Sequence, residues 1–325
     1  MQNSYLKIFK NLFFNVEEHN DVKNIIKQVG HVLSLVIIKF GEVANEMMAG
    51  TSRKDDFVDI VIILFIRKIM EQLDAINVLY SVGLFEPAQI ILRTLIENIV
   101  GLEFILKENT EKRAAAYFFE HHYQELSETY FNPESEYGKL IIAQKGKYEF
   151  EKDCEKLEKK KKALEKMIKS KDIFQEIDIA RKKKIELKRK QNKYKKKVYI
   201  QWYEVCSNIT NFYGLMKEVG YEKYYDGIYG GLSFEAHGLN TTMGINVDEN
   251  GLSLKWIRNP EGGRNTFELA CEFSIMVLQK IYTYLEDGES EIAEFKDFFM
   301  EFVEKRNIAG DKLDTIKGTS NNVPE

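Results

Sequence analysis

Apolar residues recur every three or four positions along most of the chain, which is the spacing that places them on one face of an α-helix. The pattern is plain in residues 55–83, where Ile62, Ile66 and Ile69 follow one another at these steps. Similar patterns predict further helices at 21–48, 87–107, 110–131, 266–286 and 289–305. The chain has only 4 prolines among 325 residues, and a proline inside a helix costs about 3 kcal/mol. The sequence therefore predicts an all-α helical bundle.

A heptad pattern in two arms runs from residue 150 to residue 198. Its apolar positions are Phe150, Cys154, Leu157, Leu164 and Ile168 in the first arm and Ile173, Ile177, Ala180, Leu187, Tyr194 and Val198 in the second. The polar stretch 169–172 between them predicts the turn of an antiparallel helical hairpin, which resembles a coiled coil.

Charge is distributed unevenly along the chain. Residues 145–197 have 22 Lys and Arg against 10 Asp and Glu, a net charge of +12. The other 25 basic and 41 acidic residues leave −16 on the remainder.

Glycines concentrate in the C-terminal third, where nine of the 20 lie between Gly220 and Gly263. Glycine adopts conformations that helices do not use, so this region is expected to form loops, and loops often carry function. Apolar residues alternate on both sides of 248–251, which predicts a small β-hairpin in the glycine-rich loop.

These patterns together predict how the chain is divided into domains. Residues 1–138 and 200–309 are two parts of one helical bundle, 139–199 are an inserted basic hairpin, and 310–325 are a disordered tail.

Several classes of protein are disfavoured. The longest apolar run, 60–66, is far below the roughly 20 residues that span a bilayer, and the first residues lack a secretory signal. A cytoplasmic protein without membrane contact is therefore expected.

The 3 cysteines are odd in number and widely spaced, which favours neither disulfides nor a zinc site. No histidine has a glutamate three residues before it, as di-iron bundles require, so neither a metal nor a cofactor is expected.

The helix at 87–107 holds the first candidate site. Apolar residues surround it, as in a helix buried on all sides, but Arg93, Glu97 and Asn98 interrupt them. A buried ion pair that loses one partner is destabilised by about 3 to 5 kcal/mol, so Arg93 and Glu97, four residues apart, are expected to pair. The pair is either structural or part of a polar pocket in which Arg93 binds an anionic group. In the second case Arg93 and Glu97 are catalytic candidates together with His237.

The second candidate site lies in the glycine-rich region. Tyr229, Ser233 and His237 follow one another at intervals of four, so they share a face if the segment is helical. Histidine titrates near neutrality, which suits proton transfer, although a lone histidine is more often structural. Arg113 and His121 on the helix 110–131 form a third candidate.

The basic hairpin is the candidate for partner binding. Its densest charge is at Lys182, Lys183, Lys184, Arg189 and Lys190. Such a surface favours contact with the phosphates of RNA or DNA without reading their sequence. The alternatives are a solvated arm, or an arm that docks on the acidic part of its own or a neighbouring subunit and so forms a homo-oligomer.

Two segments, Arg93-Thr-Leu-Ile-Glu97 and Ser233-Phe-Glu-Ala-His237-Gly238, resemble motifs of an uncharacterised bacterial family of helical proteins, a domain of unknown function. The turn Leu79-Tyr-Ser-Val-Gly83 before the first motif is also similar. The resemblance covers about residues 55–131 and 200–286 and leaves the basic hairpin as an insertion. In helical layout, the family is similar to the HEPN ribonucleases of toxin and phage-defence systems, which implies RNA cleavage by an arginine and a histidine.

HEPN nucleases hold this arginine and histidine closer together on one helix than Arg113 and His121 are here. The resemblance therefore implies a pair from different helices, either Arg93 or Arg113 with His237. In such chemistry the histidine moves the proton of the ribose 2′-hydroxyl while the arginine stabilises the phosphorane charge. Two hypotheses result: a nucleic-acid-directed effector of a metal-independent RNase type, and a non-catalytic module whose hairpin mediates oligomerisation or partner docking.

Overall fold

The structure is a computed structural model that describes residues 15–50, 57–125, 132–191, 198–236, 244–248, 251–255, 257–258, 262–285 and 289–316. Its helices are α1 (Asn20–Gly50), α2 (Phe57–Ser81), α3 (Phe85–Lys107), α4 (Thr110–Glu125), α5 (Glu136–Lys145), α6 (Lys147–Ile168), α7 (Asp172–Gln191), α8 (Trp202–Cys206), α9 (Phe212–Glu218), α10 (Glu222–Tyr224), α11 (Gly230–Ala236), α12 (Gly263–Leu285) and α13 (Glu289–Leu313). A 3₁₀ turn, Val16–Glu18, precedes α1, and a π-helical turn, Tyr225–Tyr229, joins α10 to α11. Within these described residues, none of the helices combines the length and hydropathy needed to cross a bilayer. The all-α fold class is confirmed.

Two short strands lie in the glycine-rich region, β1 (Ile245–Asp248) and β2 (Gly251–Leu254). They pair antiparallel, with Ile245 opposite Leu254. A two-stranded ribbon is at best marginally stable in water on its own. The core of the protein is therefore supplied by the helices.

The chain divides into two compact units, of which the first comprises Met1–Leu106 and Met216–Glu325 and the second Lys107–Leu215. The second unit is larger than the insertion expected at 139–199, because α7 packs against both α4 and α8. The basic helices are thus part of a helical unit with its own core.

In the first unit, α1 packs against α2, α12 and α13, and α12 packs against α13. The side chains on the facing surfaces are fully buried, as at Val36 and Phe40 of α1, Ile66 and Ile69 of α2 and Phe273 of α12. Burying one such side chain contributes about 1.5 to 3 kcal/mol. The apolar stripes seen in the sequence therefore become the core of this unit.

Gly263 opens α12 at a point that has no room for a side chain. A Cβ atom there would lie 2.3 Å from Cδ2 of Phe85. The Phe85 ring stacks on Tyr80 with 4.1 Å between centroids, and the Tyr80 hydroxyl donates a hydrogen bond of 2.5 Å to the carbonyl of Gly263. The glycine thus allows α12 to begin in contact with the junction between α2 and α3.

In the second unit, α7, the second arm of the predicted hairpin, packs against α4. Phe174 is buried with its ring centroid 5.1 Å from that of Phe119, and Nε of Arg181 donates to the buried carboxylate of Glu120 at 2.6 Å. The heptad pattern placed Ile173 at the contact, but Ile173 is only half-buried. An aromatic ring buries more apolar surface than an isoleucine side chain, so Phe174 sets how α7 lies on α4.

Helix α13 continues to Leu313, past the predicted end at residue 305 and into the stretch expected to be disordered. Leu313 is buried, and Nη2 of Arg264 on α12 lies 3.0 Å from Oδ1 of Asp311. These contacts with α12 order a stretch whose own composition is polar. The predicted tail is therefore wrong for residues 310–316, and residues 317–325 lie outside the described part of the chain.

Candidate functional site

Arg93, Glu97 and Tyr229 form one hydrogen-bonded group on the surface of α3. Nε of Arg93 donates to Oε1 of Glu97 at 3.2 Å, one turn further along the helix. Nη2 of Arg93 donates to the Tyr229 hydroxyl at 3.1 Å, and that hydroxyl donates to Oε1 of Glu97 at 2.6 Å. The Arg93 guanidinium also lies 5.0 Å from the centroid of the Tyr229 ring. Each group bonds both of the others, and we call the three residues the Arg93 cluster.

Tyr229 reaches the cluster from a π-helical turn. This turn, Tyr225–Tyr229, lies between α10 and α11. Such turns close their hydrogen bonds over one residue more than an α-helix does, and they are frequent at functional sites. The Tyr225 ring stacks on the Tyr229 ring with 5.4 Å between centroids. The π-helical turn and the stacked ring together fix the direction of the Tyr229 side chain.

Burial and pairing fix the protonation states in the cluster. The pKa of Tyr229 is raised to about 12, mainly by burial and then by its hydrogen bond to Glu97, while Arg93 acts against this rise. Burial acts to lower the pKa of Arg93, but the bonds to Tyr229 and Glu97 outweigh it and raise that pKa. At neutral pH the phenol therefore keeps its proton and the guanidinium keeps its charge.

The cluster still has groups that can meet a ligand. Among the residues that the structure describes, Arg93 bonds Glu97 and Tyr229 through Nε and Nη2, which leaves the two N–H groups of Nη1 without a partner there. The Glu97 side chain is 37% exposed. Guanidinium N–H groups suit the oxygens of phosphates and carboxylates. The arrangement can therefore hold an anion beside a carboxylate and a phenol.

The other residues expected at this site are distributed differently. His237 lies outside the described residues. Ser233 is half-buried on α11, one turn after the tyrosine of the cluster. Asn98 belongs to a separate network, in which it donates to Oε1 of Gln72 at 3.1 Å while Nε2 of Gln72 donates to Oγ1 of Thr94 at 2.9 Å. Asn98 thus helps to join α2 to α3.

The side chains of Arg113 and His121 are not in contact. They are eight positions apart on α4, which places them about 12 Å apart along the helix axis. Nη2 of the buried Arg113 donates to Oε1 of Glu108 at 2.6 Å, whereas His121 is exposed, with its ring centroid 6.5 Å from that of Tyr117. A buried arginine that loses its carboxylate partner destabilises the fold, so this bond serves the packing. The third candidate pair therefore forms no site.

The five basic residues predicted to bind a partner lie on α7, in different surroundings. Lys182 and Lys190 are exposed, and each pairs with an acidic residue one turn before it, at 2.6 Å and 2.7 Å. Nζ of Lys184 donates to a backbone carbonyl just after α8 at 3.0 Å, which ties α7 to its own unit. Lys183 and Arg189 are exposed. Four of the five residues thus face solvent, and one serves the packing.

A second buried carboxyl on α3, that of Glu103, was not expected from the sequence. The Tyr221 hydroxyl donates a short hydrogen bond to Oε1 of Glu103 and lies 3.8 Å from Sδ of Met276. Burial raises the pKa of Glu103 to about 7, although Tyr221 and Lys280 act to lower it. The signal that points to it is a single glutamate within the run Gly101-Leu-Glu-Phe-Ile105, where a carboxyl has apolar neighbours on every side.

We expect the free energy of unfolding to fall as the pH rises from about 5 to about 8, because of Glu103. Its pKa of about 7 in the folded protein lies above the roughly 4.3 of an unfolded chain, so between these values only the folded state keeps the proton. The stabilisation is complete below the unfolded value, and about 2 kcal/mol of it is lost over this range. Glu103→Gln should remove that loss, as measured by urea unfolding at the two pH values.

The matched control is Glu272→Gln. Glu272 accepts a hydrogen bond of 2.9 Å from Tyr224, which makes it another glutamate bonded to a tyrosine in the same unit, but it is only half-buried. This variant should keep the pH dependence of the wild type. If Glu103→Gln also keeps the pH dependence of the wild type, the group that holds the extra proton in the folded state is not Glu103.

Comparison with known families assigns the chain to one of them. Residues 59–252 match a family of unknown function, DUF5677. The matched range contains α3 to α11, so it includes the Arg93 cluster and also the basic helices α6 and α7. Neither a curated protein nor a solved structure matches the chain. The expectation of an uncharacterised helical family is confirmed, and because the match spans more than half of the sequence, the chain belongs to the DUF5677 family.

Proposed function

We propose that the protein binds nucleic acid through α6 and α7 and cleaves RNA at the Arg93 cluster without a metal ion. The observation that carries the proposal is the net charge of +12 over residues 145–197, a segment that includes the two helices and their exposed outer faces. Nucleic acid presents a dense row of phosphates, and lysines that neutralise them release counterions. A surface of this charge suits that partner whatever its base sequence.

Much of this charge is available to a ligand. Several lysines of α6 pair with acidic residues nearby in the sequence, at 3.0 to 4.0 Å. Such exposed ion pairs contribute only about 0 to 1 kcal/mol each, so these lysines can turn to a phosphate at little cost. Lys159 and Lys162 on α6 and Lys183 and Arg189 on α7 are exposed, and none of the four pairs with an acidic residue in the described part of the chain.

Replacing Lys159, Lys162, Lys183 and Arg189 together by Gln should weaken binding to RNA or DNA about tenfold or more at low salt. Each phosphate contact contributes about 0.7 to 0.9 to the slope of log affinity against log salt concentration, so the slope should also become shallower. Fluorescence anisotropy of labelled oligonucleotides, titrated at several salt concentrations, measures both quantities.

The control variant replaces Lys27, Lys68, Lys217 and Lys296, four exposed lysines of the first unit, and so removes the same charge. It should bind nearly as well as the wild type. Equal losses in both variants would mean that the basic helices are not the binding surface. A wild-type protein that binds no nucleic acid even at low salt would overturn the proposal.

The chemistry proposed at the Arg93 cluster is attack of a ribose 2′-hydroxyl on the adjacent phosphorus. His237, eight residues after Tyr229 in the sequence, takes the proton of that hydroxyl. Nη1 of Arg93 donates to the non-bridging oxygens, whose negative charge grows in the transition state. The bond from phosphorus to the 5′-oxygen breaks, this oxygen takes the proton of the Tyr229 hydroxyl, and a 2′,3′-cyclic phosphate forms. Solvent then restores both protonation states.

Arg93→Gln should lower the rate of RNA cleavage about a hundredfold or more, because it removes the positive charge beside the phosphate. Tyr229→Phe keeps the ring next to the guanidinium and removes only the hydroxyl, so it tests the proposed proton donor separately. Gel electrophoresis of a labelled RNA, incubated in the presence of a metal chelator, follows the reaction.

Arg264→Gln is the control for these variants. Arg264 pairs with Glu268 at 2.8 Å with the same spacing on α12 and also contacts Asp311 of α13, so the variant removes an arginine and its ion pairs away from the cluster. Thermal unfolding of each variant separates loss of activity from loss of the fold. RNA that stays intact with the wild-type protein, or equal losses in Arg93→Gln and Arg264→Gln, would count against the chemistry.

A second candidate function is that of a protein-interaction module. It is favoured by Ile179 and Leu187, two exposed apolar residues on α7 that are eight positions apart and so belong to one helical stripe. They lie among lysines, whereas the chain outside residues 145–197 carries −16. In this alternative, α7 docks on the acidic surface of a second copy of the chain and forms a homo-oligomer.

In that case Ile179→Ser combined with Leu187→Ser should convert an oligomer into a monomer, because the apolar contact is lost while the charge is kept. Gel filtration with light scattering measures the mass. Leu140→Ser is the control, since Leu140 is an exposed apolar residue on α5 of the same unit. A monomeric wild type, or an oligomer that survives the double substitution, would exclude the interaction module in this form.

A further inference from the structure

The most exposed tyrosine rings in the described part of the chain lie in the second unit. Tyr148 is 75% exposed and Tyr199 is 65% exposed, and Tyr137 is exposed as well. By contrast, the tyrosines described in the first unit are all buried or half-buried. A tyrosine ring on a surface offers a large contact area at a low cost in side-chain entropy. The second unit therefore presents aromatic faces to solvent that the first unit does not.

Each of the two most exposed rings lies beside positive charge. Tyr148 is in the first turn of α6, where Lys147 precedes it and Lys152 follows one turn later, and both lysines are exposed. Tyr199 comes just after the run Lys195-Lys-Lys197 in the sequence, and Nζ of Lys188, which pairs with Glu204 at 2.6 Å, donates to its backbone carbonyl at 3.3 Å. Aromatic rings and lysines thus occur together at two places on this unit.

We propose that Tyr148 and Tyr199 stack on unpaired bases, and that the preferred ligand of the second unit is single-stranded nucleic acid. The inference rests on the proposed nucleic-acid binding and specifies its ligand. Proteins that bind single strands combine basic side chains along the phosphates with aromatic rings on which the bases stack. Every base has a flat face, so this mode of binding tolerates any sequence.

Charge by itself predicts the opposite preference. A duplex has a higher density of phosphates than a single strand, and lysines that act only through charge release more counterions from it. In a duplex, however, neighbouring base pairs cover the base faces, so Tyr148 and Tyr199 have nothing to stack on. A preference for single-stranded over duplex nucleic acid must therefore come from the two tyrosine rings, because the lysines alone would favour the duplex.

The test compares a labelled oligo(U) strand with an RNA duplex of the same number of phosphates, both bound to the full chain and followed by fluorescence anisotropy. The single strand should bind about tenfold more tightly. Tyr148→Ala combined with Tyr199→Ala should lose about fivefold to tenfold in affinity for oligo(U) and nothing for the duplex. Tyr148→Phe combined with Tyr199→Phe keeps the rings and should bind oligo(U) as the wild type does. Leu140→Ala, an exposed apolar substitution in the same unit, should change neither affinity.

The outcomes separate this inference from the function it rests on. If both ligands bind with equal affinity and the alanine substitutions change nothing, stacking is wrong while phosphate binding by α6 and α7 stands. If neither ligand binds, the proposed function fails and stacking fails with it. If the phenylalanine variant loses as much affinity as the alanine variant, the contact is made by the hydroxyl groups and the inference is overturned.

Discussion

Most of helix α3 lies among apolar side chains, so a polar group on its buried face needs a partner on another element. Arg93 and Glu97 bond Tyr229, and Glu103 bonds Tyr221. A buried charge that loses its partner costs several kcal/mol, whereas a change in an exposed loop costs little. The two tyrosine–glutamate contacts therefore decide how the segment from Tyr221 to Tyr229 lies on α3.

The same constraint explains why the Arg93 cluster can serve both fold and function. The carboxylate of Glu97 is partly exposed, and Nη1 of Arg93 has no partner among the described residues. The hydrogen bonds that stabilise the cluster also hold its charged groups in fixed positions. A ligand that binds there finds the guanidinium already oriented, which lowers the cost of binding and of reaction.

Sequence patterns predicted what depends on neighbours along the chain. The helices follow from spacings of three and four, and the bond between Arg93 and Glu97 follows from their separation of one helical turn. The contact of Glu103 with Tyr221 does not follow in this way, because the two residues are 118 positions apart and no local spacing reveals such a contact. The end of α13 was misjudged for the same reason, since Leu313 is ordered by packing that its polar neighbours in the sequence do not suggest.

The π-helical turn Tyr225–Tyr229 begins after Tyr221, the first residue of this segment that bonds α3, and ends at Tyr229, the second. Such a turn holds one residue more than an α-helical turn. Deleting that residue would restore α-helical geometry and rotate the side chains beyond it by about 100°, so Tyr229 would point away from Arg93. A substitution in this stretch alters one side chain, but a change of length dismantles the cluster. The cluster therefore depends more on the number of residues between Tyr221 and Tyr229 than on the identity of most of them.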